Sequence, residues 1–287
     1  MNAQANAEPW TLLRLITWTK DYLAGRGIDS PRLAAELLLA HVLGCPRMAL
    51  YTQFARVATE AERTRFRELV KRAADHEPVA YLVGHRDFYS LDLAVTPDVL
   101  IPRPETEGLV DRALDHLRGL GRPGTAWDAC TGSGAVAVAV AANARDARVL
   151  ATDRGAAALA VARTNASRHA LTDRLTVARA DLLALPADAG IEGPFDVITA
   201  NPPYVTAADM DTLGPDVRHE PVAALCAGAE GLDFIAPLLR QAPDRLAAGG
   251  LLAMEIGYNQ AEAVWDLANT DGRNERVYGI ACRTPDG

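Results

Sequence analysis

Apolar side chains recur at helical spacing through the first 75 residues, and after residue 124 stretches of strand and helix pattern alternate. Leu12, Leu15, Ile16, Tyr22 and Leu23 share one face of a helix predicted over 10–24, which stops at Gly25. Ser30-Pro31 opens a second helix, with an N-cap residue followed by proline at the first helical position, and Gly44 ends it. Thr59 and Glu62 have capping-box spacing, and Phe66, Leu69, Val70 and Ala73 follow at i, i+3, i+4 and i+7. Arg63, Arg65, Arg67, Lys71 and Arg72 read as the solvated side of that third helix rather than a binding patch.

The pattern changes at Glu77-Pro78. From 86 to 101 apolar and polar residues alternate (Phe88, Leu91, Leu93, Val95), with turn residues at Ser90 and Thr96-Pro97, which predicts a β-hairpin. Pro102-Arg103-Pro104 then leads into a helix over 106–120. Strands are predicted at 125–130, 148–153, 175–181, 195–200, 251–256 and 277–282. Helices are predicted at 135–144, 155–169, 231–247 and 259–269. Such alternation with right-handed crossovers gives an α/β fold, an open and mainly parallel sheet covered on both faces. The expected division is a helical domain at 1–76, a hairpin connection at 77–105 and the α/β domain at 106–287.

Charge and cysteines narrow the function. Lys plus Arg total 29 against 37 Asp plus Glu, a net charge of −8, which goes against an autonomous grip on nucleic-acid phosphates. The four cysteines (45, 130, 226, 282) and six histidines have no metal-ligand spacing, so no metal is expected. No apolar run approaches the roughly 20 residues that span a membrane. The stretch Met1–Asn6 lacks a basic segment followed by an apolar one, so the expected compartment is the cytoplasm.

Asp128-Ala129-Cys130-Thr131-Gly132-Ser133-Gly134 follows the first predicted sheet strand and opens a helix. Gly132 and Gly134 permit a tight turn and close approach of a ligand to the backbone. The motif suits a nicotinamide dinucleotide as well as S-adenosylmethionine. Asp153 ends the next strand about 20 residues on, where a carboxylate can accept both ribose hydroxyls. Asp181 ends the third, where it can face an adenine amino group. Asp128 is a candidate for holding the loop's own amides.

A buried strand at 195–200 runs into Asn201-Pro202-Pro203-Tyr204 at the carboxyl edge, where open α/β sheets bind ligands. The prolines fix φ, remove two donors and force extended geometry on the residue before each. What remains is a rigid loop of acceptors, the Asn201 side-chain carbonyl and the Pro202 main-chain carbonyl. Two acceptors below a planar –NH2 bind both hydrogens and favour pyramidalisation, aiming the lone pair at an electrophile opposite. Tyr204 offers a flat face for stacking. With a sulfonium methyl as the electrophile, the reaction is an in-line displacement that needs positioning more than a strong base.

Together these segments resemble the HemK/PrmC family of release factor glutamine methyltransferases. The resemblance runs from about residue 77 to 260. It includes residues 77–84, the segment Leu100-Ile101-Pro102-Arg103-Pro104-Glu105-Thr106-Glu107, Asn201–Tyr204, and Asp216–Pro221. It implies a class I (Rossmann-like) S-adenosylmethionine-dependent methyltransferase domain behind a small helical domain that helps dock a release factor, with a β-hairpin between. Carried onto this chain, it implies cofactor contacts at Cys130, Thr131, Gly132, Ser133, Gly134, Asp153, Asp181, Leu182 and Asn201. It implies catalysis by Asn201, Pro202 and Tyr204, and substrate-amide recognition by Asn201, Pro202, Pro203 and Tyr204. Two departures stand out. Cys130 replaces a common glycine, a tolerable change at negative φ. Only 13 residues (261–273) separate Gln260 from Asn274, so a sheet strand is expected to be short or missing.

Three further readings compete with methylation of a release factor glutamine. One is a specialised paralogue acting on another planar nitrogen, in a protein, a nucleobase or a small molecule. Another is a dinucleotide-dependent oxidoreductase, resting on the glycine loop alone. The last is a non-catalytic binding module that kept the fold.

Overall fold

The computed structural model describes residues 9–187, 189–270 and 277–282. Met1–Asn6 and the segment around Asn274, both used above, lie outside the described residues. The chain forms two compact units, 1–84 with 215–219, and 85–214 with 220–287.

In the first unit α1 (Leu12–Ala24), α2 (Pro31–Leu43) and α3 (Glu60–Ala74) enclose one apolar core, with Leu12, Leu23, Leu38, Leu39 and Leu50 fully buried. The capping box on α3 forms in full, Thr59 Oγ1 accepting from Glu62 N and Glu62 reaching back to Thr59 N. Arg65 and Arg67 lie exposed, as a solvated face requires. Ser30 caps α2 differently from the expectation. Its backbone is left-handed (φ 47°), not the extended shape that brings a hydroxyl to the N2 or N3 amide, and its side chain makes no cap bond. A short helix, α4 (Val79–Val83), completes the unit.

The second unit opens with a two-stranded hairpin, β1 (His85–Phe88) and β2 (Leu91–Ala94). Tyr89 and Ser90 both have positive φ, 50° and 62°, the mirror-image turn whose twist matches its strands. The pairing ends at Ala94, short of the expected 101, because Thr96, Pro97 and Asp98 turn the chain away. After α5 (Glu107–Gly119) the chain alternates: β3 (Thr125–Ala129), α6 (Ala135–Asn143), β4 (Arg148–Asp153), α7 (Ala156–Arg168), β5 (Leu175–Arg179), β6 (Phe195–Ala200), α8 (Ile235–Gln241), β7 (Leu246–Gly257), α9 (Ala261–Thr270) and β8 (Val277–Cys282).

The six sheet strands lie in the order β5-β4-β3-β6-β7-β8, and every pairing is parallel. Burial on both faces explains the near-continuous apolar runs, β6 being buried along its whole length. A sixth strand is therefore present despite the shortened C-terminal stretch, parallel to β7 from Leu252↔Val277 to Gly257↔Cys282. The helix expected over 231–247 is shorter. Pro243 withdraws a donor and closes α8 at Gln241, and β7 starts as early as Leu246. Among the described residues no helix is long and apolar enough to cross a membrane.

Candidate active site

Strand order reverses between β3 and β6, and such a switch point opens a crevice at the carboxyl edge. Register fixes what meets there. Ala129 pairs with Ala200, and Ala200 pairs with Met254. Cys130 and Asn201 are the first residues past the ends of β3 and β6, and Glu255 follows Met254 on β7, so the two loops leave the paired sheet at one level.

The glycine loop leaves the sheet at Cys130. Gly132 and Gly134 have φ of 54° and 81°. A Cβ built on Gly132 meets nothing within 4 Å, so its backbone faces open space. A Cβ on Gly134 would lie 3.1 Å from the Ala162 side chain, so that glycine also lets α6 start against α7. Asp153 ends β4 and ties the loop, Oδ2 accepting from Gly132 N at 3.0 Å and Oδ1 from Gly155 N at 2.8 Å. Two bonds leave lone pairs on both oxygens, capacity that ribose hydroxyls can use. Asp128 is buried beneath the loop and accepts from the hydroxyls of Thr131 (2.5 Å) and Thr199 (2.7 Å). Burial pushes its carboxyl up to about 6 despite those bonds. Asn165, fully buried on α7, donates to Ser133 O at 2.8 Å and pairs with both main-chain groups of Ala94.

Cys130 corrects an expectation. Its φ is 56°, in the left-handed region, not negative. The chain must turn at once from β3 so that Thr131 N can donate to Thr152 O at 2.9 Å. A side chain there costs about 1–2 kcal/mol. Burial holds the thiol protonated, and the charges of Asp153 and Asp128 push the same way. Asp181 and Leu182 follow β5, which ends at Arg179 rather than 181. Leu182 also has a positive φ, 49°.

The acceptor loop is built differently. Pro202 and Pro203 are buried, and Asn201 and Tyr204 are half-buried. Asn201 Nδ2 donates to Thr106 Oγ1 at 3.2 Å, and Thr106 donates to Glu255 Oε2 at 2.7 Å. Tyr204 donates its hydroxyl to Glu255 Oε1 at 3.2 Å. Buried Gln260 donates to the carbonyls of Tyr204 and Gly231, both at 3.1 Å, and accepts from Gly257 N at 2.8 Å. Gly231 must be glycine, because a Cβ would come within 2.4 Å of Tyr204 O.

One pocket brings together Cys130, Thr131, Gly132, Ser133, Asp153, Asp181, Leu182, Asn201 and Pro203. Gly134 caps α6 outside its lining, and Pro202 and Tyr204 are also outside it. The segment from Asp98 to Thr106 forms a further wall, tied down by Glu220, which accepts from Ile101 N at 3.0 Å and pairs with Arg103. Motif reading missed Thr106 as a contributor in its own right, and Glu255, Gln260, Asn165 and Glu220. Each makes a bond across 29 or more residues of sequence, and for Glu255 the one local signal was a lone polar residue in an apolar strand. Among the described residues His85, Asp87 and Asp92 cluster within 4.8 Å. They sit on the hairpin away from this pocket, and Arg168 already pairs with Asp92.

A family model described as the PrmC N-terminal domain matches residues 14–84, and one described as the methyltransferase small domain matches 111–220. Curated relatives named release factor glutamine methyltransferase include one from Rhodopirellula baltica, 43% identical over 98% of this chain and 95% of its own. Another from Geobacter sulfurreducens is 39% identical over 92% and 90%. A third from Moorella thermoacetica is 43% identical over 89% of each.

Proposed function

The chain belongs to the family of release factor glutamine methyltransferases, and from that premise we propose that it transfers a methyl group from S-adenosylmethionine to the side-chain nitrogen of the Gly-Gly-Gln glutamine in peptide chain release factors. The observation that carries the reading is the pairing of Ala129 with Ala200 at the carboxyl ends of neighbouring strands. It sets a nucleotide-type glycine loop directly beside an Asn-Pro-Pro-Tyr acceptor loop. The oxidoreductase reading of the glycine loop is dropped, because the relatives that match are methyltransferases.

The pocket fits S-adenosylmethionine by its donor set. Gly132 leaves room at the backbone, Asp153 retains acceptor capacity for a ribose, and Leu182 and Ala180 supply apolar surface. When bound, the cofactor supplies an electrophilic methyl group on a sulfonium. In this reading Asn201 Oδ1 and the Pro202 carbonyl accept the two hydrogens of the glutamine amide. They hold its nitrogen with the lone pair directed away from them, while the Tyr204 ring packs against the amide plane. The 1–76 region serves as the docking element for the release factor. A cytoplasmic location goes with this substrate, and the acidic net charge argues against autonomous nucleic-acid binding.

Incubation with labelled S-adenosylmethionine and separate release factor, DNA and RNA substrates tests the assignment. Label on the Gly-Gly-Gln glutamine supports it. Label on a nucleobase, or none on the release factor, refutes it.

A further inference from the structure

We propose that Thr106 and Glu255 are positioning residues that set the polarity of the acceptor loop, dictating which end of the Asn201 amide faces the substrate. The inference rests on the reading of Asn201 as an acceptor for the substrate amide.

An asparagine amide is nearly symmetric in shape, and a half-turn about its last bond exchanges an acceptor for two donors. Presented NH2-first, Asn201 would set donors against a substrate –NH2 and repel it. Something must therefore choose the orientation, and the proton inventory of this cluster does so. Glu255 is 2% exposed, and both of its oxygens act as acceptors, one for the Thr106 hydroxyl and one for that of Tyr204. Thr106 is 4% exposed and gives its one hydroxyl proton to Glu255 Oε2 at 2.7 Å. With that proton committed, Thr106 Oγ1 can only accept from Asn201. The end of the amide lying 3.2 Å away must then be Nδ2, which leaves Oδ1 turned to the other side.

The second Glu255 oxygen accepts from the Tyr204 hydroxyl. One buried carboxylate thereby orients both polar side chains of the acceptor loop. Reversing the loop's polarity would leave the buried Thr106 hydroxyl or the Asn201 amide facing a like partner, at the cost of an unmade hydrogen bond. The three parts come from separate stretches of chain, since 149 residues separate Thr106 from Glu255 and 95 separate Thr106 from Asn201.

The test is steady-state kinetics on a release factor with Thr106→Val, Thr106→Ser, Glu255→Gln and Asn201→Ala, alongside calorimetric binding of S-adenosylmethionine. Thr106→Val keeps the shape and removes the relay. It is expected to lower kcat by about 10–100-fold, the scale of a misplaced reacting group, with KM and cofactor Kd changed less than about threefold. Thr106→Ser restores the hydroxyl and is expected to return kcat to within a few-fold of the parent. Glu255→Gln lets the new amide donate to Thr106, freeing the Thr106 proton to point at Asn201, and is expected to match the loss of Thr106→Val. The double variant Thr106→Val with Asn201→Ala is expected to be no slower than Asn201→Ala alone.

If Asn201→Ala is slow while Thr106→Val runs at the parental rate, this proposal fails and the acceptor reading stands. If Asn201→Ala itself runs at the parental rate, the underlying reading fails. Equal kcat for the Val and Ser variants also overturns the relay, because a structural role needs no hydroxyl. Should Glu255→Gln not fold, the Thr106 pair decides alone.

Discussion

The glycine loop at 130–134 and the acceptor loop at 201–204 leave neighbouring strands in one row of the sheet, yet they are held by opposite means. The glycine loop is permissive backbone. Three of its five residues have positive φ, and carboxylates fix it from outside, with Asp153 on a main-chain amide and Asp128 on a hydroxyl. The acceptor loop is stiff backbone, with two buried prolines, and its side chains and carbonyl are tethered by Thr106, Glu255 and Gln260. The difference follows from what each loop is asked to do. A cofactor cradle needs amides and open space beside the main chain. An acceptor site for a neutral –NH2 must hold oxygen atoms in place and keep donors away.

Asn201→Ala is the largest test of that contrast. It removes one acceptor aimed at the reacting nitrogen. By analogy with deleting one donor from an oxyanion hole, turnover is expected to fall by about 10²–10³. Binding of S-adenosylmethionine should change far less, because the glycine loop is tied down by other residues. A variant that loses cofactor affinity as steeply as turnover would show that the two loops act as one unit. Tyr204→Ala is expected to lower both rate and substrate affinity. Tyr204→Phe, which keeps the ring and loses the bond to Glu255, should be milder.

Asp128 tests the carboxylates under the glycine loop. Burial raises its pKa from 3.8 to about 6, so between those values the folded protein keeps a proton that the unfolded chain has released. The stability this group contributes is fully present below about pH 4 and is lost as pH rises through about 6. The full swing is ~3 kcal/mol by linkage. Asp128→Asn removes the titration. Urea unfolding of both proteins from pH 4 to 7 should show the stability of the parent relative to the variant declining over that window. Parallel curves would mean that Asp128 is already ionised throughout.

Much of the contrast is legible in the sequence, but only on the backbone side. Gly132, Gly134, Pro202 and Pro203 announce their conformations locally, as do Thr59 and Glu62 in their capping box. The tethers do not announce themselves. Glu255 reads as an interruption in an apolar strand, and only the pairing of Ala200 with Met254 carries it to Asn201 and Tyr204. Asn165 likewise reads as a polar residue on a helix, yet it is fully buried and holds Ser133. The overlong prediction for α8 has the same origin. Helical periodicity continued past Pro243, while the sheet had already claimed Leu246 for β7.

Asp153→Ala probes the glycine loop through its ligand and its support together. Losing a charged acceptor is expected to weaken S-adenosylmethionine binding by about 1–3 kcal/mol. Because Gly132 N and Gly155 N lose their partner in the same stroke, amide exchange at both should quicken even without cofactor. Unchanged affinity would place the ribose elsewhere. Quickened exchange with unchanged affinity would assign Asp153 to the loop alone.

Cys130→Gly has the smallest expected effect and separates the loops most cleanly. At φ 56° the cysteine side chain costs about 1–2 kcal/mol, and glycine removes that cost. Against this, glycine adds roughly 0.5–1 kcal/mol of chain entropy to the unfolded state. The balance is a gain of up to ~1.5 kcal/mol, a rise in Tm of at most about 3–6 °C for a unit of this size. The half-buried thiol is held protonated, so no reactive group is lost. Cys130→Ala keeps the Cβ and should bring no gain, which isolates the backbone effect from packing. In the acceptor loop the same exchange should run the other way, because Pro203→Gly gives up a fixed φ and gains only freedom. If Cys130→Gly destabilises as much as Pro203→Gly, packing around the thiol outweighs the strain of its backbone, and the two loops are held more alike than their φ angles imply.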